Sequence, residues 1–404
     1  MNTSILAQIA ASVSTPTYVY DLDTISTQVN NLQNAFAGAS LRYAVKANPS
    51  GAVLRHLAAR NIGAEVITLG ELERALAAGM AAEHIVLGGP AQDATLRQRA
   101  KVAGVGLISL DSVSQAETWL ADNGLADNGL ADNGLTANDM PPCVIRINPA
   151  LDPHTHEHLA TGAATSKFGM TVSEAVALAP RLPTLCGFHV HAGSQIRELT
   201  VYEEIFAVLA PLYAQFPHCD VLDIGGGFAV PDVPLAELAE RVSAFAKQVG
   251  ARLIVEPGRY LVAEAGVLLT QVLHVKQGAR SHVICDAGMA DLLRPALYGA
   301  DHPITSLAED ASERLSVTAD IDGPLCENAD RLGREVTLPE PRAGDMLAVG
   351  TAGAYGMAMA SNYASHVRPA EVAVLDGAFW TVRERETVAD LLQAERPLPE
   401  VEHV

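Results

Sequence analysis

Lysine is scarce in this chain: five lysines stand against 22 arginines among 404 residues. Basic residues as a class are outnumbered, 27 to 47 acidic ones, for a formal net charge of -20 and a pI near 5.0. That balance excludes a broad basic face, and with it nucleic acid as a partner. It leaves room for a small anion held by a few local arginines. Cysteines are also few: Cys143, Cys186, Cys219, Cys285 and Cys326 are odd in number, widely spaced and without a Cys-x-x-Cys pair. No disulfide framework or cysteine zinc site is expected, and a reducing cytoplasm is the expected setting. No apolar run reaches the ~18 residues of a transmembrane helix, so no membrane partner is expected. The opening MNTSILAQIAASVSTPTYVYDLD has no basic residues before its apolar stretch, which argues against a signal peptide. Aromatics make up only 5%, yet hydrophobic residues reach 49%. Such a chain can fill the cores of two domains.

What is present is an alternation. From about residue 40 to 260, short apolar runs alternate with Ala/Leu/Glu-rich stretches of helical character. The strand candidates are LRYAV (41–45), AEVIT (64–68), HIVLG (84–88), VGLISL (105–110), CVIRIN (143–148), GFHVH (187–191), VLDIG (221–225) and RLIVE (252–256). GELERALAAGM (70–80) and VYEEIFAVLAPLYAQF (201–216) represent the helices between them. Strands joined by crossover helices predict an α/β fold, here a (β/α)8 TIM barrel, with a doubly wound open sheet as the alternative. After residue 265 the texture changes to strands with little helix: GVLLTQVLHVK, SHVICDAG, LSVTADIDG, DMLAVG, EVAVL and FWTVR. This predicts a C-terminal, mainly β domain. TPTYVYD (15–21) precedes the barrel and is expected to pair into it. Residues 121–135 read ADNGL three times over, a turn-rich loop insertion.

RYAVKANPS (42–50) puts Lys46 just past the first barrel strand, at the end where barrels keep their catalytic groups. Arginine cannot lose its proton in a protein; a lysine in an apolar pocket can, and becomes a nucleophile. Alone, Lys46 could equally reach solvent. HVHAGSQI (189–196) ends the sixth strand, and His189 and His191, two apart, face one side of a strand. Zinc would need a third ligand, and neither this pair nor HTHEH (154–158) has an evident carboxylate partner, so no metal is expected. An imidazole at a barrel mouth can instead lie flat on an aromatic ligand. DIGGGF (223–228) and EPGRY (256–260) follow the last two strands, where barrels build phosphate sites. Consecutive glycines let N–H groups close on an anion. Gly258 adds another N–H, and Arg259 a forked donor. Glu256 sits on the rim, facing a bound ring or pairing with an arginine. An amine, an imidazole, a carboxylate and a phosphate cradle form the set that pyridoxal 5′-phosphate needs.

YAVKANP, HVHAGSQ, LDIGGGF, EPGRYLVAEAG, RPALYGA, GPLCENAD and GAYGMAMASNY occur in this order, over roughly residues 15–390. On these motifs the chain resembles the fold-type III pyridoxal-phosphate-dependent decarboxylases, and among them the members acting on diaminopimelate. The resemblance implies an alanine racemase-like two-domain architecture. A cofactor-binding barrel would span 26–264. Residues 1–25 and 265–404 would form a β domain that completes the partner subunit's active site in a head-to-tail homodimer. Lys46 would bond the cofactor's aldehyde, His191 would stack on the ring, and Glu256 would partner the ring nitrogen. Ser194, Gly227, Gly258, Arg259 and Tyr355 match positions around the phosphate. Cys326, acting from the other subunit, matches the thiol that returns a proton to Cα. Arg259, Arg294, Tyr298, Glu327 and Tyr355 match positions holding the substrate's carboxylates and distal amine.

The implied reaction is decarboxylation of meso-2,6-diaminopimelate to L-lysine and CO2, the last step of lysine biosynthesis. Taken singly, Cys326 reads as a small buried hydrophobe and Arg294 as a surface cation; their motifs lift them. The chain departs from the usual pattern at Ala192 (often isoleucine), Glu65 (commonly aspartate), Ala364 (asparagine) and His366 (arginine). Alternatives are family members acting on ornithine, carboxynorspermidine or a carrier-linked amino acid, and a non-catalytic cofactor carrier. Such carriers are barrels alone, and a diamine-forming enzyme has no use for a far-carboxylate arginine.

Overall fold

The structure is a computed structural model that describes residues 2–123, 140–151 and 166–398. Most of the ADNGL repeat (124–135) and all of HTHEH (154–158) lie outside the described residues. The chain divides into two compact units, Thr24–Val262 and Met1–Asp23 with Ala263–Val404.

The first strand, β1 (Thr17–Asp21), does not join the barrel. It pairs antiparallel with β10 (Gly266–Lys276) and parallel with β16 (Ala370–Leu375), which corrects the expectation from its position in the chain. Its side chains are buried on both faces, so it suits the middle of that sheet.

The barrel is closed and parallel, from β2 (Ser40–Ala44) through β3 (Gly63–Val66), β4 (Ile85–Leu87), β5 (Leu107–Leu110), β6 (Cys143–Arg146), β7 (Leu185–His189), β8 (Val221–Asp223) and β9 (Arg252–Val255), with β2 pairing β9. All eight expected strands form. Helices cover them, started by side-chain caps: Thr68 accepts from Glu71 N–H, Ser112 from Gln115 N–H, and Thr171 forms a reciprocal capping box with Glu174.

The period of two along the strands layers the interior. Val86, Leu107, Val144, Val221 and Ile254 form one apolar cluster. Two residues on from Leu107, Val144, Val221 and Ile254 come Ser109, Arg146, Asp223 and Glu256. An apolar layer thus underlies a polar one at the C-terminal strand ends.

The other unit is a nine-stranded sheet, ordered β14-β13-β11-β10-β1-β16-β17. The remaining strands are β11 (His282–Cys285), β12 (Ile304–Ser306), β13 (Ser316–Asp322), β14 (Arg331–Pro339), β15 (Met346–Val349) and β17 (Ala378–Arg383). β15 pairs both β10 and β12. Helix Thr3–Val13 presses Leu6, Ile9 and Ala10 onto Val19, Leu269, Ala348, Val372 and Val374. Among the described residues no helix is long and apolar enough to cross a membrane.

Candidate active site

Lys46 leaves β2 in a single 3-10 turn, Val45–Ala47. Its Nζ lies 2.7 Å from Glu65 Oε2 on β3; the lysine side chain is 39% exposed and the glutamate 6%. The amine therefore stands at the barrel mouth, reachable yet held by a buried anion. Glu65 is a long side chain for so tight a site. Gly88 makes room for it: Glu65 Oε1 lies 3.0 Å from where a Gly88 Cβ would sit.

β7 ends at His189, so the two histidines part. His189 is buried, with Nδ1 2.7 Å from Ser109 Oγ and Nε2 3.7 Å from Glu256 Oε2. His191 leans on the glycine loop, where its Nδ1 accepts from Gly226 N–H at 3.3 Å. A Cβ on Gly225 would come within 2.6 Å of that same nitrogen. Burial, then the Arg146 charge, holds His189 neutral and pushes the His191 pKa down to about 3. A neutral ring is the form that can stack closely on another π system.

Beneath the mouth lies an acid pair. Asp223 and Glu256 are both buried, and burial pushes both pKa values up: Asp223 to about 7, and Glu256 well above its ordinary range with the Asp223 charge as second cause. Asp223 Oδ1 accepts from Gly225 N–H at 2.9 Å. As two carboxylates the pair has no donor to share, so Asp223 Oδ2 and Glu256 Oε1 find no partner among the described residues. One proton satisfies both. His189, Asp223 and Glu256 bring ligand atoms within 4.8 Å of one another, so the histidine does have carboxylate partners that the sequence hid. The donor types alone would also suit a cation. Arg146 and Lys46 bear on His189, and Arg42 on the acids, which disfavours a further full positive charge. A basic ring nitrogen needing a proton fits an acid pair that has one to give.

The loops after β2, β7, β8 and β9 interlock. Glu256 N–H donates to the Gly225 carbonyl at 2.7 Å, Ala44 N–H to Pro257 at 3.1 Å, and Ile196 N–H to Gly227 at 2.9 Å. Gly226, Gly227 and Gly258 have no space for side chains: methyls there would meet the carbonyls of Glu256 and Gly193 and the Cβ atoms of Ala44 and Ala47. Arg259 Nη2 donates to Ser194 Oγ at 3.3 Å on this same rim. Lys46, His191, Ser194, Gly227, Glu256, Gly258 and Arg259 thus share one barrel face, where the Gly227 and Gly258 N–H groups and the Arg259 guanidinium are donors of the kind an anion needs. Ala192 is buried in the loop carrying His191. Asp223, Ser109 and Arg146 were not read as site residues; only the period of two on their strands could have found them.

The remaining expected residues lie in the sheet unit. Cys326 is exposed, in a loop fixed by buried Asp330, whose carboxylate accepts from Leu325 N–H and Met289 N–H at 2.6 Å each. Glu327 Oε1 accepts from Ala329 N–H at 3.2 Å. Arg294 reaches His302 at 3.0 Å, and Tyr298 is 66% exposed. Tyr355 takes a left-handed φ of 58° beside Gly356, which packs on Tyr18. Of the departures, Ala364 also has a left-handed φ (54°), and His366 Nε2 pairs with buried Asp291 at 3.1 Å.

Comparison with known proteins agrees with this geometry. Residues 22–263 match the family described as pyridoxal-dependent decarboxylase, pyridoxal binding domain. Diaminopimelate decarboxylase of Deinococcus radiodurans is 38% identical over 398 residues, 96% of this chain and 98% of that protein. That of Pseudomonas fluorescens is 38% identical over 417 residues, 98% of this chain and 96% of that protein. The crystal structure of diaminopimelate decarboxylase from Helicobacter pylori complexed with L-lysine superposes with a TM-score of 0.85 at 31% identity, covering 96% of this chain and 98% of that one.

Proposed function

Because this chain belongs to the pyridoxal-dependent decarboxylases, we infer that it removes CO2 from meso-2,6-diaminopimelate to give L-lysine, using pyridoxal 5′-phosphate. The two relatives at 38% identity over nearly the whole chain carry the diaminopimelate decarboxylase name, and a solved structure of that name at 31% identity is complexed with L-lysine. The observation that carries the chemistry is the amine of Lys46, held at 2.7 Å by buried Glu65 on the same barrel face as the glycine cradle and the acid pair.

When bound, the cofactor supplies a ring that takes up the electron pair of the breaking Cα–carboxylate bond. Lys46 would hold the cofactor through its aldehyde, and Glu65, 2.7 Å from Nζ, would keep the amine at the barrel mouth. His191, neutral and anchored through Nδ1 to the Gly226 N–H, would cover one face of the ring. Glu256 holds the proton on the ring nitrogen. The N–H groups of Gly227 and Gly258, with Arg259, Ser194 and Tyr355, would hold the phosphate; those of Gly225 and Gly226 are taken by Asp223 and His191. Cys326, an exposed thiol, would return a proton to Cα. Arg259, Arg294, Tyr298, Glu327 and Tyr355 hold the substrate's carboxylates and distal amine.

Cys326 and its neighbours act from a second copy of the chain in a head-to-tail homodimer with shared sites. In this reading the barrel unit, Thr24–Val262, carries the cofactor, and the other unit, Met1–Asp23 with Ala263–Val404, is the completing domain. A cytoplasmic setting belongs to the same reading, supported by five cysteines that are all free. The test is a substrate panel of meso-diaminopimelate, ornithine and carboxynorspermidine with the cofactor-loaded protein, scored by the amine formed. Lysine from diaminopimelate is expected; a faster reaction with either other substrate would replace the substrate assignment.

A further inference from the structure

We propose that Asp223 is a positioning residue that shares one proton with Glu256 and so sets how tightly the barrel holds the proton on the cofactor's ring nitrogen. The proposal rests on the reading that Glu256 faces that nitrogen. Asp223 touches neither substrate nor cofactor in this reading; it acts through Glu256.

The geometry is specific. Asp223 is fully buried at the end of β8, two residues on from Val221 of the apolar layer. The Gly225 N–H donates to its Oδ1 at 2.9 Å and so favours the ionised form. No such donor reaches Glu256 Oε1 or Asp223 Oδ2 among the described residues. With their ligand atoms within 4.8 Å of one another, Asp223 is the acid better held as an anion and Glu256 the one better placed to carry the shared proton. Burial raises both groups, Glu65 raises them further, and Lys46 and Arg42 oppose the rise on Glu256 and Asp223 respectively. Arg42, itself pushed down by burial, faces both acids. His189, neutral, stands 3.7 Å from Glu256 Oε2 and restrains its swing.

The step balances without any further reactant. Glu256 gives its proton to the ring nitrogen: its O–H bond breaks, an N–H bond forms, and the carboxylate left behind faces the positive ring. Asp223 gives up no proton in this transfer. Its charge then opposes loss of that ring proton, and its Oδ2 fixes which way Glu256 points. Two carboxylates sharing a site favour holding a proton between them or on a bound base.

The test compares the affinity of the cofactor-free protein for pyridoxal 5′-phosphate and for 1-deaza-pyridoxal 5′-phosphate, in which C–H replaces the ring nitrogen. The wild type is expected to prefer the natural cofactor. Glu256→Gln should abolish the preference. Asp223→Asn should reduce it by about tenfold or more, the effect of one nearby charge on a proton equilibrium, while binding the deaza compound like wild type. A merely structural role would weaken both ligands alike. If Asp223→Asn keeps the wild-type preference while Glu256→Gln loses it, the sharing proposal is overturned and the reading of Glu256 stands. If Glu256→Gln keeps the preference, that reading itself fails. Should Asp223→Asn not fold, infrared difference spectra decide: the cofactor-free wild type at neutral pH should show a protonated-carboxyl stretch that Glu256→Gln lacks. Its absence overturns the proposal.

Discussion

Gly227→Ala separates the packing of the glycine loop from its backbone conformation. Gly227 has φ +91°, a left-handed region that an alanine enters at a cost of about 1–2 kcal/mol. The space beside it is also filled. A methyl there would be driven into the Gly193 carbonyl oxygen, with Ile196 Cδ1 at 3.4 Å. The Gly193 segment cannot swing aside freely, because Ile196 N–H donates to the Gly227 carbonyl at 2.9 Å. Overpacking of this kind costs about 1–3 kcal/mol. Gly250→Ala is the control, since Gly250 has φ +72° and nothing lies within 4 Å of its added Cβ. The gain from stiffening the unfolded chain is common to both and cancels. Gly227→Ala should therefore be less stable than Gly250→Ala by about 1–3 kcal/mol. Denaturant unfolding followed by tryptophan fluorescence reads this directly. The chain has 2 tryptophans, and Trp119 is fully buried in the barrel unit, so a Trp380→Phe background isolates it. Gly227→Ala should also release the cofactor more readily, and Gly250→Ala should not. Equal midpoints for the two variants would refute the described packing of the loop.

Arg259→Ala should weaken cofactor binding or substrate use about 10- to 100-fold, since a charge-assisted hydrogen bond contributes about 1.5–3 kcal/mol; unchanged affinity and activity would remove Arg259 from the site. His191 stays neutral in the fold, its pKa down at about 3, whereas in the unfolded chain it charges near 6.5. The unfolded state then binds more protons, so the cofactor-free protein should lose stability as pH falls below 6.5 and on toward 3. His191→Gln should flatten that loss in melting temperatures measured across the range; an identical slope would place the titration elsewhere. Lys46→Ala and Cys326→Ala homodimers should both be nearly inactive. Mixed and allowed to exchange, they should recover roughly a quarter of wild-type activity, because about half the dimers hold one intact site. No recovery despite exchange seen by mass spectrometry would put lysine and thiol in one chain.

The barrel was legible because its strands are buried on both faces and read as short apolar runs bounded by turns. Their ends were less so. CVIRIN and RLIVE stop at Arg146 and Val255, and the buried residues just beyond, Ile147 and Glu256, lead into the loops at the mouth. β14, Arg331–Pro339, carries little strand signal in the sequence: it lies at a sheet edge, and charged Arg334 and Glu335 stand exposed in its middle. β12 is only 3 residues long. β1 was set beside the barrel by chain order, whereas its partners come from residues more than 240 positions later. Lys46, Glu256 and the glycine loop stood out by residue type at strand ends. Asp223 was hidden inside its own motif, where the glycines drew the reading. Glu65 was visible only as a departure, and its ion pair with Lys46 needed the β2–β3 register. Cys326 and Tyr355 rest on resemblance, since nothing local in the sequence marks either one.

The most direct measurement is isotope-labelled CO2 release from meso-diaminopimelate carrying the label in its carboxyl groups, run side by side on wild-type protein and Lys46→Ala, each supplied with pyridoxal 5′-phosphate. Wild type should release one labelled CO2 for each L-lysine formed, and Lys46→Ala should stay at the background of the free cofactor. Equal release by the two proteins, or CO2 from wild type without lysine, would contradict a decarboxylation carried out through Lys46.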